Sequence, residues 1–319
     1  MKTQTIIFAL ATVIFAAQAF ADHNKTSLFF GLGEKDGHWT EISEDGDVFE
    51  GHYVDGERLG PWVLRFANGD MHEGPYVDGK QQGQWVERSP NGTVQEGPLV
   101  DGKKHGQWTV RSASGMVDEG PYVNGKRNGH WVSRFVDGKV WQEGPYVDGK
   151  QQGHWVERLL GAVNEGPYVD GKKHGHWVEQ NANGTVDEGS YVNGKRHGHW
   201  VSRLTDGKVW QEGPYVDGKQ TGHWVMRLAN GNVREGPYVD GKKHGQWIFR
   251  SADGDVWEEG PYVNGKKHGH WVYYLLKQEG PYVDGKMHGH WVVRGTDGKI
   301  WHEGPMVNDK KTRQVGLAL

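Results

Sequence analysis

The string EGPYVDGKKHGHW, residues 165–177, is one copy of a pattern that recurs along most of the chain. The Trp that closes each copy recurs every 22 to 24 residues, except for a last interval of 20. These residues are Trp39, Trp62, Trp85, Trp108, Trp131, Trp155, Trp177, Trp200, Trp224, Trp247, Trp271 and Trp291. A period of this size indicates a repeat protein, in which each unit packs on its neighbours.

Each unit contains two short runs rich in Val, Tyr and Trp, separated by hairpin signals. One signal is an Asp-Gly or Asn-Gly pair before Lys, as at Asp78-Gly79, which suits a turn with two positive φ angles. The other is a similar pair after the Trp strand, as at Asn68-Gly69. Two strands and two turns leave no room for a helix. The sequence therefore predicts an all-β fold, an elongated single-layer antiparallel meander of about 12 tandem 23-residue hairpin repeats.

Some units depart from the common length in a regular way. Three are one residue longer, and each of these has an extra Trp in its second strand, at Trp141, Trp210 and Trp257. One added residue at a fixed point in a strand predicts a β-bulge. The shortest unit lacks the second turn at residues 273–277, which predicts a tight or irregular hairpin there.

Parity along the strands assigns side chains to the two faces of the sheet, because successive residues point to opposite sides. Trp177 shares its face with Gly175, and Tyr168 shares its face with Gly166. We therefore expect indole rings to lie over neighbouring glycines and to shield the backbone. The other face carries the Glu of Glu-Gly and the Arg of Trp-Val-x-Arg, which predicts a solvated ladder of opposite charges.

The first residues have the features of an export signal. Residues 1–21 contain Lys2, an uncharged apolar run and a small-residue pattern at Ala19 and Ala21, which predicts a signal peptide cut before Asp22. The apolar run is shorter than the roughly 20 residues of a membrane-spanning helix. We therefore expect a periplasmic or secreted protein with no transmembrane segment.

The remaining chain divides into a repeat array and two ends. Residues 22–36 are interpreted as an N-terminal lead-in or cap, residues 37–307 as the array, and residues 308–319 as a C-terminal cap or tail. Lys310 and Lys311 lie in that tail, and charge of this kind discourages an open sheet edge from pairing with another chain.

Composition narrows the class of function. The chain has 37 Lys and Arg against 41 Asp and Glu, a net charge of −4, whereas a nucleic-acid partner favours a basic protein. It has no cysteine, so an exported form cannot rely on disulfides. The sequence contains none of the common nucleophile, zinc-protease, P-loop or dinucleotide-binding motifs. We expect a protein that is not an enzyme, uses no cofactor and binds no nucleic acid.

The complete repeat resembles a known family. The string EGPYVDGKKHGHW, followed by a strand and a second Asp-Gly or Asn-Gly turn, resembles the MORN repeat, specifically the bacterial MORN-variant repeat in which Trp follows the His-Gly pair. The resemblance covers residues 37–307, and it implies an elongated single-layer sheet that acts as a scaffold. The better-known MORN consensus has Gly in place of that Trp. Some family members are proposed to bind phosphoinositides, but this departure and the predicted export make that role unexpected here.

The sequence leaves two kinds of candidate site. The aromatic rings could stack on a glycan or contact lipid headgroups, although paired aromatics in sheets are usually structural. Those candidates are Trp85, Trp108, Trp131, Trp155, Trp177, Trp200, Trp224, Trp247, Trp271, Tyr122, Tyr146, Tyr168, Tyr191, Tyr215 and Tyr238. Four His-x-His pairs are weak metal candidates, since zinc needs four ligands and the first His also fits a turn role. They are His174 and His176, His197 and His199, His268 and His270, and His288 and His290.

Because the repeats are nearly identical, the sequence favours a binding function shared by many repeats of the array. We predict a scaffold that binds an unidentified protein or an extended polymer through its sheet surface. The alternative is a module that binds cell-wall glycan or lipid headgroups with the Trp and Tyr rings. Exposure of the Trp rings discriminates between the two, because stacking requires open indole faces.

Small-angle X-ray scattering tests the predicted shape. About 24 strands at roughly 4.8 Å each give a contour of about 115 Å before twist shortens it. We expect the profile of an elongated particle. A radius of gyration near the roughly 19 Å of a compact domain of this length would contradict the prediction.

Overall fold

The computed structural model describes residues 34–311, which contain only strands and turns. The predicted signal peptide, most of the lead-in at 22–36 and residues 312–319 lie outside this range. The strands belong to one open antiparallel sheet of 34 strands, which confirms the predicted all-β fold of repeated hairpins. Residues 34–311 include no helix that could cross a membrane.

The described part of the chain divides into two compact units, with the boundary between residues 150 and 151. The strands of the first are β1 (Gly37–Ile42), β2 (Val48–Val54), β3 (Glu57–Arg65), β4 (Met71–Val77), β5 (Lys80–Gln81), β6 (Gly83–Arg88), β7 (Val94–Val100), β8 (Lys103–Lys104), β9 (Gly106–Arg111), β10 (Val117–Val123), β11 (Lys126–Arg127), β12 (Gly129–Arg134) and β13 (Val140–Val147). The division falls within β14 (Lys150–Gln151).

The second unit repeats the same order of long and two-residue strands. Its strands are β15 (Gly153–Leu159), β16 (Ala162–Val169), β17 (Lys172–Lys173), β18 (Gly175–Gln180), β19 (Val186–Val192), β20 (Lys195–Arg203), β21 (Val209–Val216), β22 (Lys219–Gln220), β23 (Gly222–Arg227), β24 (Val233–Val239), β25 (Lys242–Lys243), β26 (Gly245–Arg250), β27 (Val256–Val263), β28 (Lys266–Lys267), β29 (Gly269–Tyr273), β30 (Gln278–Val283), β31 (Lys286–Met287), β32 (Gly289–Arg294), β33 (Ile300–Val307) and β34 (Lys310–Lys311).

The Asp-Gly and Asn-Gly turns before Lys have the predicted geometry, whereas in the turns after the Trp strand, such as Asn68-Gly69, only the Gly is left-handed. Asp170 has φ of 51° and Gly171 has φ of 76°, so both central residues are left-handed, as in a type I′ turn. The turn also bonds to the preceding repeat, because the Gly171 amide donates to the Gln151 carbonyl at 2.9 Å. The same bond joins Gly194 to Lys173 at 2.8 Å. Backbone pairing therefore continues from hairpin to hairpin through the turns.

The three long units contain the predicted bulges. In β12 and β13, Ser133 pairs with Gln142 and Arg134 pairs with Val140, which leaves Trp141 as the extra residue. The registers around Trp210 and Trp257 shift in the same way. A fourth bulge, at Trp301, was missed because no further Trp unit follows it to reveal the longer spacing.

The shortest unit turns within four residues, as predicted. Tyr273 pairs with Gln278, and residues 274–277 form the turn. The Lys277 amide donates to the Tyr274 carbonyl at 3.2 Å, and Lys277 itself has φ of 49°. A left-handed lysine closes this hairpin in place of the usual glycine.

The core of each unit is a row of Trp rings that lie over glycines, which confirms the predicted packing. Trp200 has only 2% of its surface exposed, and a Cβ added to Gly189 would lie 2.4 Å from ring atom Cδ2. The Trp200 indole N–H donates to the Ser190 carbonyl at 3.0 Å. Tyr191 and Tyr215 contact the ring edge-on, at centroid distances of 5.2 and 6.2 Å. The indole thus covers the backbone of a neighbouring strand and donates a hydrogen bond to one of its carbonyl groups.

Replacing Gly189 by Ala tests this packing. The new methyl group would overlap a buried indole, so we expect the free energy of unfolding to fall by about 1–3 kcal/mol, the usual cost of overpacking. Denaturant unfolding measures it, with Ser190→Ala as the neighbouring control. In a Trp200→Ala background the same change should cost little. An equal loss in both backgrounds would show that the indole does not require this glycine.

Candidate binding surface

The aromatic face, defined as the side of the sheet that carries the repeat Trp and Tyr rings, also carries cations. Lys173 Nζ lies 3.9 Å from the Trp177 ring centroid, and Arg196 Cζ lies 3.9 Å from that of Trp200. A cation this close to an indole face is attracted by the ring quadrupole. The cations placed in this way are Lys35, Arg58, Lys104, Arg127, Lys173, Arg196, Lys243 and Lys267. From Trp62 onward, where such a cation is present, the indole lies between it and a glycine.

The aromatic candidates from the sequence are therefore largely covered. All nine predicted Trp residues from Trp85 to Trp271 are 0–3% exposed. The six predicted Tyr residues are buried or half-buried and contact Trp rings edge-on. The indole faces are not open, so this arrangement argues against stacking of a glycan on them.

A carboxylate completes the best-developed cluster on this face. Glu179 accepts hydrogen bonds from Lys173 Nζ at 3.0 Å, Tyr191 OH at 2.8 Å and Arg196 Nη2 at 2.7 Å. Its side chain is only 14% exposed. Trp177 and Glu179 have the same parity in β18, and this is the signal in the sequence that could have placed the carboxylate on the aromatic face. No such signal predicts the cations, because Lys173 and its equivalents precede the left-handed glycine of Lys-His-Gly-His-Trp, where the alternation of side chains is interrupted.

The same three donor types surround Glu41 near the start of the array. Arg58 Nη2 lies 2.6 Å from one carboxylate oxygen, and Tyr53 OH donates to the other at 2.9 Å. Lys35 forms an ion pair with the same carboxylate. The arrangement is therefore a recurring structural cluster.

Electrostatics within the Glu179 cluster favour the charged forms. Burial by itself raises the pKa of the Glu179 carboxyl, but the hydrogen bond and charge of Lys173, with Tyr191 and Arg196, outweigh it and hold the pKa below its ordinary value. Burial also raises the pKa of Tyr191 to about 12, so this phenol stays a donor at neutral pH. The cluster stabilises the fold, and its three donors are all hydrogen-bonded to Glu179.

The opposite side of the sheet is the charged face, defined by the Glu of Glu-Gly, the Arg of Trp-Val-x-Arg and the His before Trp. Glu279 lies between two partners, with His270 Nε2 at 3.3 Å and Arg294 Nη2 at 3.5 Å. The Glu–Arg pairs Glu73–Arg88 and others recur along the sheet, which confirms the predicted charge ladder. The further pairs are Glu50–Arg65, Glu119–Arg134, Glu188–Arg203, Glu212–Arg227 and Glu235–Arg250.

The two histidines of each His-x-His pair do not belong to one regular strand. The intervening glycine is left-handed, as in Gly269 with φ of 81°, and it interrupts the alternation on which the prediction rested. The two histidines have different contacts, since His268 Nδ1 lies 3.5 Å from the Asp284 amide of the next turn and His270 faces Glu279. Residues 34–311 contain no group of three or more His, Asp or Glu side chains placed to hold a metal ion. Metal binding by the eight histidines stays an untested hypothesis.

Comparisons with known proteins show similarity at the level of repeated β-strands. No protein-family model and no curated protein matches the sequence. Among solved structures, the TCP10 domain of Danio rerio CPAP in complex with a peptide of Danio rerio STIL is 16% identical, with 69% of this chain and 92% of that chain covered and a TM-score of 0.36. A streptogramin B lyase is 11% identical, with 87% and 85% covered and a TM-score of 0.15. Scores this low carry no argument about function.

Glu179→Gln tests the carboxylate cluster through its pH dependence. Because the folded pKa of Glu179 is lowered, its stabilisation is complete above the ordinary Glu value of about 4.3 and is lost as pH falls through the folded pKa. We expect the substitution to lower the free energy of unfolding by about 1–3 kcal/mol near neutral pH, and by less in strong acid. Urea unfolding at both pH values measures this. Exposed Glu165→Gln is the control, and an equal loss for Glu179→Gln at both pH values would exclude charge pairing as the cause.

Proposed function

We propose that this chain is a non-enzymatic repeat scaffold that binds a protein or a polymer through the charged face. The observation that supports the proposal most directly is the recurrence of one Glu–Arg pair, often with a flanking His, at the same place in successive repeats. These side chains are partly exposed; Glu73 and Arg88, for example, are 40% and 43% exposed. Exposed pairs add little to fold stability, which leaves them available for recognition.

The spacing of these groups favours an extended partner. Equivalent side chains in successive repeats lie two strands apart, roughly 9.6 Å in a sheet with a strand spacing of about 4.8 Å. A partner with charged groups at a similar interval can contact several repeats at once. Each contact is weak, but linked contacts raise the overall affinity without any single strong site.

The aromatic face supports this choice of surface. Its cations contact Trp rings, most of them are paired with carboxylates, and its indoles are covered, so the alternative of glycan stacking has no observation in its favour. A catalytic role also lacks support, since the clusters of polar groups recur from repeat to repeat and serve packing. The proposal therefore places binding on the side of the sheet that the core does not use.

Two further parts of the proposal come from the sequence. The repeat EGPYVDGKKHGHW supports membership of the bacterial MORN-variant group, and the features of residues 1–21 support export to the periplasm or beyond. An exported chain meets envelope proteins and wall polymers, which fits an extended interaction surface.

A capture experiment on the mature chain tests the charged face. The variant carries four Arg→Gln changes, at Arg88, Arg134, Arg203 and Arg250. The control carries four Lys→Gln changes of equal charge at the exposed first residues of two-residue strands, Lys103, Lys126, Lys172 and Lys242. We expect the wild type and the control to capture the same partner from the native envelope fraction, and the Arg variant to lose at least about tenfold in capture, about 1.4 kcal/mol. Equal capture by all three would overturn the use of this face.

A further inference from the structure

One cation on the aromatic face differs from the others in its neighbours. In seven of the eight cases within residues 34–311, the cation over the Trp ring has a carboxylate partner. The pairs are Lys35–Glu41, Arg58–Glu41, Lys104–Glu87, Arg127–Asp118, Lys173–Glu179, Arg196–Glu179 and Lys267–Glu258. Lys243 is the exception in this part of the chain. Its Nζ lies 4.0 Å from the Trp247 centroid and 5.2 Å from that of Tyr262.

The repeat itself explains why Lys243 lacks a partner. The carboxylates in other repeats occupy three positions relative to the cation, and around Lys243 those positions hold Met226, Arg234 and Phe249. Phe249 stands where Glu179 stands in its own repeat, two residues after Trp. Arg234 stands at the position that Asp118 has relative to Arg127. Two acceptor positions have become apolar and the third has become a second cation.

The donors of the Glu179 cluster are nevertheless all retained here. Lys243, Tyr262 and Lys267 are the counterparts of Lys173, Tyr191 and Arg196 in the repeat alignment, and Arg234 is added to them. Arg234 Cζ lies 4.6 Å from the Phe249 centroid, above the place of the missing carboxylate. This repeat therefore has the groups that donate hydrogen bonds to a carboxylate in the Glu179 cluster, but it lacks the carboxylate itself.

The local charge is unbalanced as a result. Lys243, Arg234 and Lys267 contribute three positive charges, against one negative charge from Glu258, which lies 3.4 Å from Lys267 Nζ. Burial lowers the pKa of Lys243, and the charges of Arg234 and Lys267 lower it further, whereas the charge of Glu258 opposes them in part. A further anion at this point would offset the remaining shift, because an opposite charge favours the charged form of a lysine.

The unbalanced cations line a cleft that opens to solvent. Its wall includes Arg234, Lys243, Phe249, Glu258 and Tyr262. Arg234 is exposed at the rim, whereas Lys243 is half-buried on the floor over Trp247. Arg234 and Lys243 both line this cleft, so an anion bound in it would lie near both cations.

We propose that this cleft, the Lys243 site, binds a carboxylate group of an external ligand. The ligand carboxylate would take the electrostatic role that Glu179 has in its repeat, with Lys243 and Arg234 as charge-assisted donors. Such hydrogen bonds are shorter and roughly twice as strong as neutral ones. The site lies on the aromatic face and does not depend on the proposed use of the charged face.

Side-chain NMR of the full mature chain tests the site with acetate as the probe. We expect the lysine ε-carbon signal of Lys243, assigned by its loss in Lys243→Gln, to shift on titration with acetate at constant ionic strength, with a Kd on the order of millimolar. Gln occupies the same place at Gln151 and Gln220, so this variant is expected to fold. Arg234→Gln should reduce the shift at least about threefold. The absence of any acetate-dependent shift of Lys243 would overturn the proposal.

Two matched variants make the test specific. Lys173→Gln removes a lysine in the same position whose carboxylate partner is internal, so the Lys243 shift should be unchanged. Phe249→Glu supplies an internal carboxylate like Glu179, so acetate should no longer shift Lys243. A shift that persists in Phe249→Glu would contradict the inferred role. The same titration with a short blocked peptide that contains one Glu distinguishes two sources of the carboxylate. Tighter binding of the peptide than of acetate would indicate a protein side chain as the ligand, and equal or weaker binding would indicate a free organic acid.

Discussion

The contact between an indole and a bare glycine backbone is the constraint on which the rest of this structure depends. A single-layer sheet has no second layer to cover it, so each repeat must protect its own backbone from water. Trp200 does this by lying flat where Gly189 has no side chain, and its N–H reaches a carbonyl of the same strand. A Cβ at Gly189 would overlap the Trp200 ring, so alanine at this position would displace the indole from the backbone that it covers. The Glu-Gly and Trp positions of the repeat are therefore fixed together.

The layer of cations above the rings follows from the same constraint. An indole in a thin sheet still has one face toward solvent, and the stem of Lys173 or Arg196 covers it while the charged head stays near the surface. A half-buried cation then needs a counter-charge, and Glu179 supplies it for both. The aromatic face is in effect the core of the protein, with its polar groups satisfied internally. Our proposal assigns recognition by repeated groups to the charged face, whereas the Lys243 site marks the point where the internal pairing is incomplete.

The irregular repeats show how much variation this design accepts. Extra residues at Trp141, Trp210 and Trp257 enter as bulges, and a four-residue turn replaces a longer one at 274–277. None of these changes affects the Trp that follows, because each lies at the end of the hairpin remote from the His-Gly-His-Trp segment. Length is variable at one end of the repeat, and side-chain identity is variable around the cations, where Phe249 and Arg234 replaced acceptors. Individual repeats can thus acquire their own binding properties while the backbone stays the same.

The sequence by itself determined the period, the strands, the positions of both turns, three of the four bulges at an extra Trp and the assignment of the Glu of Glu-Gly and the Arg of Trp-Val-x-Arg to one face. These features depend on local chemistry: left-handed Asp-Gly pairs, the two-residue alternation of a strand and a count of residues between Trp positions. The burial of the rings and the cation layer were decided only by the tertiary structure. Lys173 and Glu179 meet across a left-handed glycine that interrupts the alternation, and Arg196 arrives from the following repeat. Parity within one strand cannot predict such contacts, because the side chains that meet belong to different strands and are brought together by a bulge.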